Sequence, residues 1–154
     1  MRRKEKEITD KSLIEKILKE SDLCRIAMVD GSEPYIVPLN YGYADGIIYA
    51  HSASAGRKIE ILKANDRVCF EIEHAAEVVK KDEACKWTEK YRSIIGYAKV
   101  EIVTDKERKK KGLDVIMQKY GFQGEAIYNE GSLSRMVLLE MKIERVTGKQ
   151  SGDW

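Results

Sequence analysis

Apolar side chains recur with two different periods along this chain, and the change of period marks its elements. Leu13, Ile14, Ile17 and Leu18 fall at helical spacing, so a helix is expected from a cap at Thr9 or Asp10 to about Glu20. From residue 23 the period shortens to two. Residues 23–29, 34–43 and 47–51 read as three strands, and Asp30-Gly31 and Asp45-Gly46 between them are hairpin signals. Short turns between successive strands predict an antiparallel meander, not crossover units. Residues 58–64 read as a short helix and 67–73 as a fourth strand, with Val68, Phe70 and Ile72 alternating. Residues 74–89 are polar and irregular. A long strand is expected over 91–103, where Gly96 suggests a bulge or a close approach of another group. Asp105 is placed to cap a helix that ends near Tyr120-Gly121, and 136–146 is the last strand.

The pattern therefore predicts a mainly β protein of about six antiparallel strands with two or three flanking helices, a barrel or a sandwich. One domain spans 1–154, with 1–8 and 148–154 as tails. The second strand carries an irregularity. Pro38 cannot donate to a ladder, so 34–43 is either an edge strand or a strand with a gap where a ligand could meet main chain.

Composition narrows the class only a little. The chain is 43% hydrophobic and 35% charged, as expected of a soluble globular protein, and no apolar run is long enough to span a bilayer. Its net charge of +2 gives no reason to expect nucleic acid, and the cation run from Lys106 to Lys111 lacks interleaved aromatics and reads as a solvated helix face. Met1-Arg2-Arg3-Lys4 opens a charged N-terminus without an apolar core, so no signal peptide is expected. Cys24, Cys69 and Cys85 form no metal-ligand spacing and suit a reduced, cytoplasmic setting: Cys24 and Cys69 lie in strand-like apolar runs and read as small core residues, Cys85 in a polar and accessible stretch.

Candidate chemistry concentrates at residues 50–58. Small residues leave the third strand at His51-Ser52-Ala53 and end in Gly56-Arg57-Lys58 at the mouth of a helix. The first helical turn offers unpaired N–H groups to an anion, and Arg57 and Lys58 could grip a phosphate. An ordinary strand-to-helix loop with two solvated cations reads equally well. No nucleophile–base–orienter set and no nucleotide-binding glycine motif is present, which leaves hydrolase chemistry unsupported. A phosphate cradle, an interrupted strand and several aromatics suit a cofactor that brings its own chemistry.

An ordered set of segments resembles the nitroimidazole-resistance-type flavoproteins, within the pyridoxamine 5′-phosphate oxidase-like FMN-binding split barrels. The segments are 1–4, 34–43, His51-Ser52-Ala53 with Gly56-Arg57-Lys58, 68–71, Cys85-Lys86-Trp87 leading into 91–96, and Thr147-Gly148-Lys149. The resemblance implies a split barrel that dimerises with FMN at the subunit interface. It places the phosphate on Arg57 and Lys58 and the ring against Val37, Pro38, Leu39, Asn40 and Tyr41. His51 and Ser52 would line the ring or ribityl chain, and Arg92 and Ser93 would complete the site. Trp87 and Tyr91 would cover the ring, from the second subunit if geometry requires. The implied activity is an oxidoreductase passing electrons from a reduced nicotinamide through FMN to a small acceptor such as a nitroaromatic compound, with His51 as the tentative catalytic residue. The alternative is a non-enzymatic flavin carrier or a haem binder using His51. No membrane or nucleic-acid partner is implied.

Overall fold

A computed structural model describes residues 2–154; Met1, which opens the first of the resemblance segments, lies outside the described residues. The described residues form one antiparallel sheet of eight strands: β1 (Glu7–Ile8), β2 (Cys24–Asp30), β3 (Glu33–Leu39), β4 (Gly42–Ala44), β5 (Ile47–Ala53), β6 (Arg67–Val79), β7 (Thr88–Val103) and β8 (Met136–Ser151). Their order is β3-β2-β6-β7-β8-β5-β4, with β1 added to β8. The sheet curls around a core of alternate residues, among them Cys24, Ile26 and Met28 of β2, Val68, Phe70 and Ile72 of β6, and Ile94, Ala98 and Val100 of β7. This is a mainly β split barrel with flanking helices. Period-two burial follows from the pleat, which sends successive side chains to opposite faces.

Four helices attach to this frame: α1 (Lys11–Glu20), α2 (Arg57–Ala64), α3 (Lys106–Lys119) and α4 (Glu130–Ser134). Asp10, not Thr9, caps α1, its carboxylate accepting from Ser12 N at 2.8 Å, and α1 sends Ile17 and Leu18 into the barrel core. Asp105 caps α3 by accepting from Arg108 N at 2.8 Å. Beyond the last turn Gly121 takes φ +85°, the left-handed conformation a C′ glycine supplies. Helix α3 lies outside the sheet, where Ile116 and Leu113 close a second small core with Val103, Leu138 and Tyr49. Close approach requires glycine there: a Cβ on Gly42 would sit 2.7 Å from the Val115–Ile116 backbone.

Strand count is eight against about six expected. The run at 34–43 divides into β3 and β4, and Glu7–Ile8 pairs with Lys149 and Gly148. The expected tails therefore contribute two strand segments, since β8 continues to Ser151 beside Tyr91. Residues 74–79 also belong to a strand, because β6 and β7 form an arm paired out to Val79 and Thr88. That arm extends beyond β2, which meets β6 only over residues 69–72. Most of its side chains are exposed, so no apolar alternation betrays it. β3 ends the sheet, which accounts for Pro38 as an edge-strand residue.

The cations of α3 are matched locally. Arg108 reaches Glu101 at 2.6 Å and Glu140 at 2.7 Å, Lys110 reaches Glu107 at 3.1 Å, and Lys106 pairs with Glu130. Lys109 departs from the expected solvated face. It is 6% exposed and donates to Leu133 O and, at 3.2 Å, to Met136 O, tying α3 to α4 and the start of β8.

Lys119 has no such match. Its ammonium is enclosed without a hydrogen-bond partner among the described residues, 3.0 Å from the centroid of the Tyr41 ring, and burial lowers its pKa from 10.5 to about 8. Between about 8 and 10.5 the unfolded chain holds a proton that the folded chain has lost, so stability rises with pH across that window. Lys119→Met should abolish this slope in urea titrations and raise stability at pH 7; an unchanged slope would mean that the amine is hydrated.

Candidate functional site

The end of β5 and the start of α2 border an open surface concavity of about 410 Å³ lined by Tyr35, His51, Ser52, Ala53, Ala55, Gly56, Arg57 and Lys58. β5 is held in register by β8 as far as Ala53 opposite Met136, and Ser54 N then donates to Arg135 O at 3.3 Å. The chain turns through Gly56 at φ +118°, a conformation that favours glycine, and enters α2 one residue earlier than expected. Gly56 O accepts from Ile59 N at 2.9 Å and Glu60 N at 3.2 Å. The amides of Arg57 and Lys58 have no acceptor among the described residues, as the first turn of a helix requires.

The two cations of this turn have different surroundings. Arg57 donates from Nε to Asp30 Oδ2 at 3.1 Å and from Nη2 to Glu33 Oε2 at 2.7 Å, and its guanidinium stacks 4.7 Å from the Tyr35 ring. Those carboxylates hold Arg57 protonated and anchor α2 to the β2–β3 turn. Two donors of the fork are thus spent, and its charge is opposed. Lys58 is half-buried, has no carboxylate within ion-pair distance among the described residues, and burial lowers its pKa. A half-buried ammonium beside two free amides is an unmatched positive site, so a phosphate group fits here on charge and donor geometry.

His51 stands exposed on the rim, and its imidazole has no hydrogen-bond or ion-pair partner among the described residues. Ser52 is 7% exposed and lies in the floor. Other expected site residues are elsewhere. Tyr41 is wholly enclosed and donates to Leu18 O at 2.8 Å, while Leu39 is core; neither side chain is presented to a ligand. Val37 packs against the core, and Pro38 and Asn40 are exposed on the edge strand and its end. Among strand β3 residues it is Tyr35 that lines the concavity, a position the hydropathy pattern does not distinguish from its neighbours.

Trp87, Arg92 and Ser93 lie toward the opposite end of β7. The register runs from Arg92 opposite Gln150 to Val103 opposite Leu138, and Leu138 is the partner of His51. Eleven residues of strand separate Arg92 from Val103, a contour of roughly 36 Å. Arg92 stacks 4.2 Å from the Trp154 ring, and Trp87 Nε1 donates to Lys81 O at 2.7 Å. One copy of the chain does not bring these residues to the His51–Lys58 concavity.

The cysteines divide by burial. Cys24 is in the core as expected, and burial pushes its thiol up to about 12; Cys69, expected in the core, is instead half-buried, because its place in the alternation of β6 falls opposite to the buried Val68 and Phe70, and Cys85 is exposed. No helix among the described residues is long and apolar enough to cross a membrane.

An open curled sheet in this strand order defines a class of split barrel, and comparison with known proteins identifies the family. The chain belongs to the pyridoxamine 5′-phosphate oxidase family, whose model matches residues 10–150. It is similar to a Bacteroides thetaiotaomicron protein provisionally named for 5-nitroimidazole antibiotic resistance, at 31% identity and TM-score 0.82 over 93% of this chain and 85% of that one. It also shares its fold with an FAD- and haem-binding protein from Mycobacterium smegmatis, at 17% identity and TM-score 0.85 over 97% of this chain and 75% of that one. A flavocytochrome from Azotobacter vinelandii matches at 17% identity and TM-score 0.85, over 99% and 72% of the two chains. No curated protein matches the sequence.

Proposed function

We propose that this protein binds FMN with its phosphate at the turn formed by Ser52, Gly56, Arg57 and Lys58, and that it passes electrons from a reduced nicotinamide to a small acceptor such as a nitroaromatic compound. The observation that carries this reading is Lys58, a half-buried cation without a carboxylate at the start of a helix. Bound flavin would supply the redox chemistry, and the chain would position and tune it. Protein purified under mild conditions should be yellow, and its visible flavin absorption should bleach anaerobically with NADH or NADPH. A colourless protein that takes up no added FMN would remove the flavin; a yellow one that neither donor bleaches would leave a carrier.

The concavity has one wall, and a second copy of the chain is proposed to provide the other. The outer face of β3-β2-β6-β7 is not covered by a helix. There the register aligns Ile36, Ala27, Cys69 and Tyr97 in one row, with Val29 and Ile95 beside it. Ile36 is 61% exposed, Val29 51% and Ile95 48%, and the Arg25–Glu71 ion pair shares the row of Ile95 on the same face, so exposed apolar groups and charges are mixed there as they are at interfaces. A homodimer through this face would let the distant Trp87–Ser93 end of one copy complete the site of the other. Ile36→Lys with Ile95→Glu should convert a dimer to a monomer in analytical ultracentrifugation and weaken flavin binding. A wild-type monomer that holds full flavin would overturn the two-copy site.

The uncommitted His51 imidazole favours one second reading, a haem-binding relative. Titrating haem should then produce a Soret band that His51→Ala abolishes; absence of the band removes this reading.

A further inference from the structure

The last residues of the chain fold back on the β6–β7 arm. β8 runs to Ser151 opposite Tyr91, and Gly152 then takes φ +86°, a conformation that favours glycine, so the chain turns over β7. The turn presses on the arm: a Cβ on Gly152 would meet Lys90 Cγ at 2.8 Å. It ends on Trp154, whose Nε1 donates to Ser151 O at 3.1 Å. Two cations two residues apart, on one face of β7, converge on its indole. Lys90 Nζ lies 4.4 Å from the ring centroid and Arg92 Cζ 4.2 Å. Neither has a carboxylate within ion-pair distance among the described residues, although Glu77 stands opposite Lys90 in the register. Arg92 spends one donor, Nε, on Gln150 Oε1 at 3.3 Å, and its two amino groups have no acceptor among the described residues. Arg57 is the reverse case, its fork closed by Asp30 and Glu33. Two like charges on one ring repel each other, and the negative face of the ring offsets only part of that. An anion beside them would relieve the repulsion and take the free edge of the guanidinium.

We infer that Trp154 is a positioning residue that holds Arg92 and Lys90 together as a preformed receptor for a phosphate group. A guanidinium already fixed by a stacked ring and by Gln150 has less rotamer freedom left to lose when the anion arrives, which is how preorganisation raises affinity. Lys90 and Arg92 are half-buried, partly withdrawn from competing water, while Trp154 is 47% exposed. The receptor itself stands on this geometry alone. Its use at the flavin rests on the two-copy reading above: there the phosphate is the one held at Lys58 of the other copy, and Trp154 acts on FMN through Arg92 and Lys90. The stretch expected to be a tail thereby becomes part of the site.

The test has two arms. The first titrates inorganic phosphate into flavin-free Trp87→Phe protein, in which Trp154 is the sole tryptophan, with potassium chloride at matched ionic strength as the control. A saturable change in Trp154 emission with phosphate and none with chloride is expected, and Lys90→Gln with Arg92→Gln should abolish it. No saturable change overturns the receptor. The second arm titrates FMN and riboflavin, which lacks the phosphate, into wild type, Trp154→Ala and Trp154→Phe. Trp154→Ala should weaken FMN about three- to thirtyfold, the range of one or two cation–aromatic contacts, and leave riboflavin unchanged; Trp154→Phe should recover most of the loss. In the Lys90→Gln Arg92→Gln background Trp154→Ala should have no further effect. Equal losses for both flavins, or FMN affinity unchanged in Trp154→Ala, overturn the role at the flavin. Trp154 follows the last strand, so its replacement leaves the ladder of β8 intact. A saturable phosphate response in a protein that takes up neither flavin would support the receptor while overturning the flavin reading, so the two failures are distinguishable.

Discussion

Lys58→Glu protein should purify without flavin, and Lys58→Met should hold FMN about 10- to 100-fold more weakly than wild type, the range of one charge-assisted hydrogen bond of about 1.5–3 kcal/mol. The reason lies in the contrast between the paired basic residues. Arg57 is opposed by Asp30 at 3.1 Å and Glu33 at 2.7 Å, so removing it costs the site less net positive charge and costs α2 its anchor. Lys58 has no such counter-charge among the described residues, and its exposure is already reduced. Arg57→Ala is therefore expected to weaken FMN binding less than Lys58→Met does. A dianion beside Lys58 would stabilise its ammonium form. Because burial lowers the Lys58 pKa, FMN affinity should fall on the alkaline side at lower pH than a solvent-exposed lysine would dictate. Fluorescence titration of the apoprotein measures each of these. Full yellow colour in Lys58→Glu would show that the phosphate is bound elsewhere.

Gly96→Val should leave no stably folded protein, and Gly96→Ala should lower the urea midpoint by the equivalent of about 1–3 kcal/mol or more, the usual cost of overpacking. Gly96 is paired directly with Phe70 across β6 and β7. A Cβ there would lie 2.2 Å from Phe70 Cζ, 2.4 Å from its Cε1 and 2.8 Å from Arg145 O. Phe70 is 0% exposed, so its ring has no solvent side to swing into, and the carbonyl belongs to the β8 backbone. Marginal stability of about 5–15 kcal/mol for a domain of this kind leaves little margin for a β-branched side chain. Phe70→Leu should recover part of the loss in Gly96→Ala by vacating the ring edge. An unchanged midpoint in Gly96→Ala would mean that the sheet separates at this rung more easily than its register implies.

Several features were readable because their causes are local. Asp30-Gly31 and Asp45-Gly46 are hairpin turns, with Gly31 at φ +61° and Gly46 at φ +79°, conformations that glycine supplies at no steric cost. Asp10 and Asp105 cap helices through contacts two and three residues on. The expectation of a close approach at Gly96 is met by Phe70, while the nearby register shift falls between Tyr97 and Ala98. Features without a local cause were missed. β1 has two residues and α4 has five, too few for either period to register. The β6–β7 arm has no buried face along most of its length, so nothing selects alternation there.

By itself the sequence determined the periods, the turns and the caps, and from these a mainly β chain with a helix near its N-terminus and others between strands, because each depends on residues within a few positions of one another. It also placed a small-residue turn and two cations at the mouth of α2. Only the tertiary structure decided which cation is free. Asp30 and Glu33 reach Arg57 from a hairpin more than twenty residues away, a distance in sequence that no spacing rule spans. The same holds for Tyr41, whose core position depends on α1, and for Arg92 and Ser93, which strand register puts far from His51. Long-range pairing sets who neutralises whom and what is enclosed, and both quantities depend on chain segments that meet only when the sheet closes.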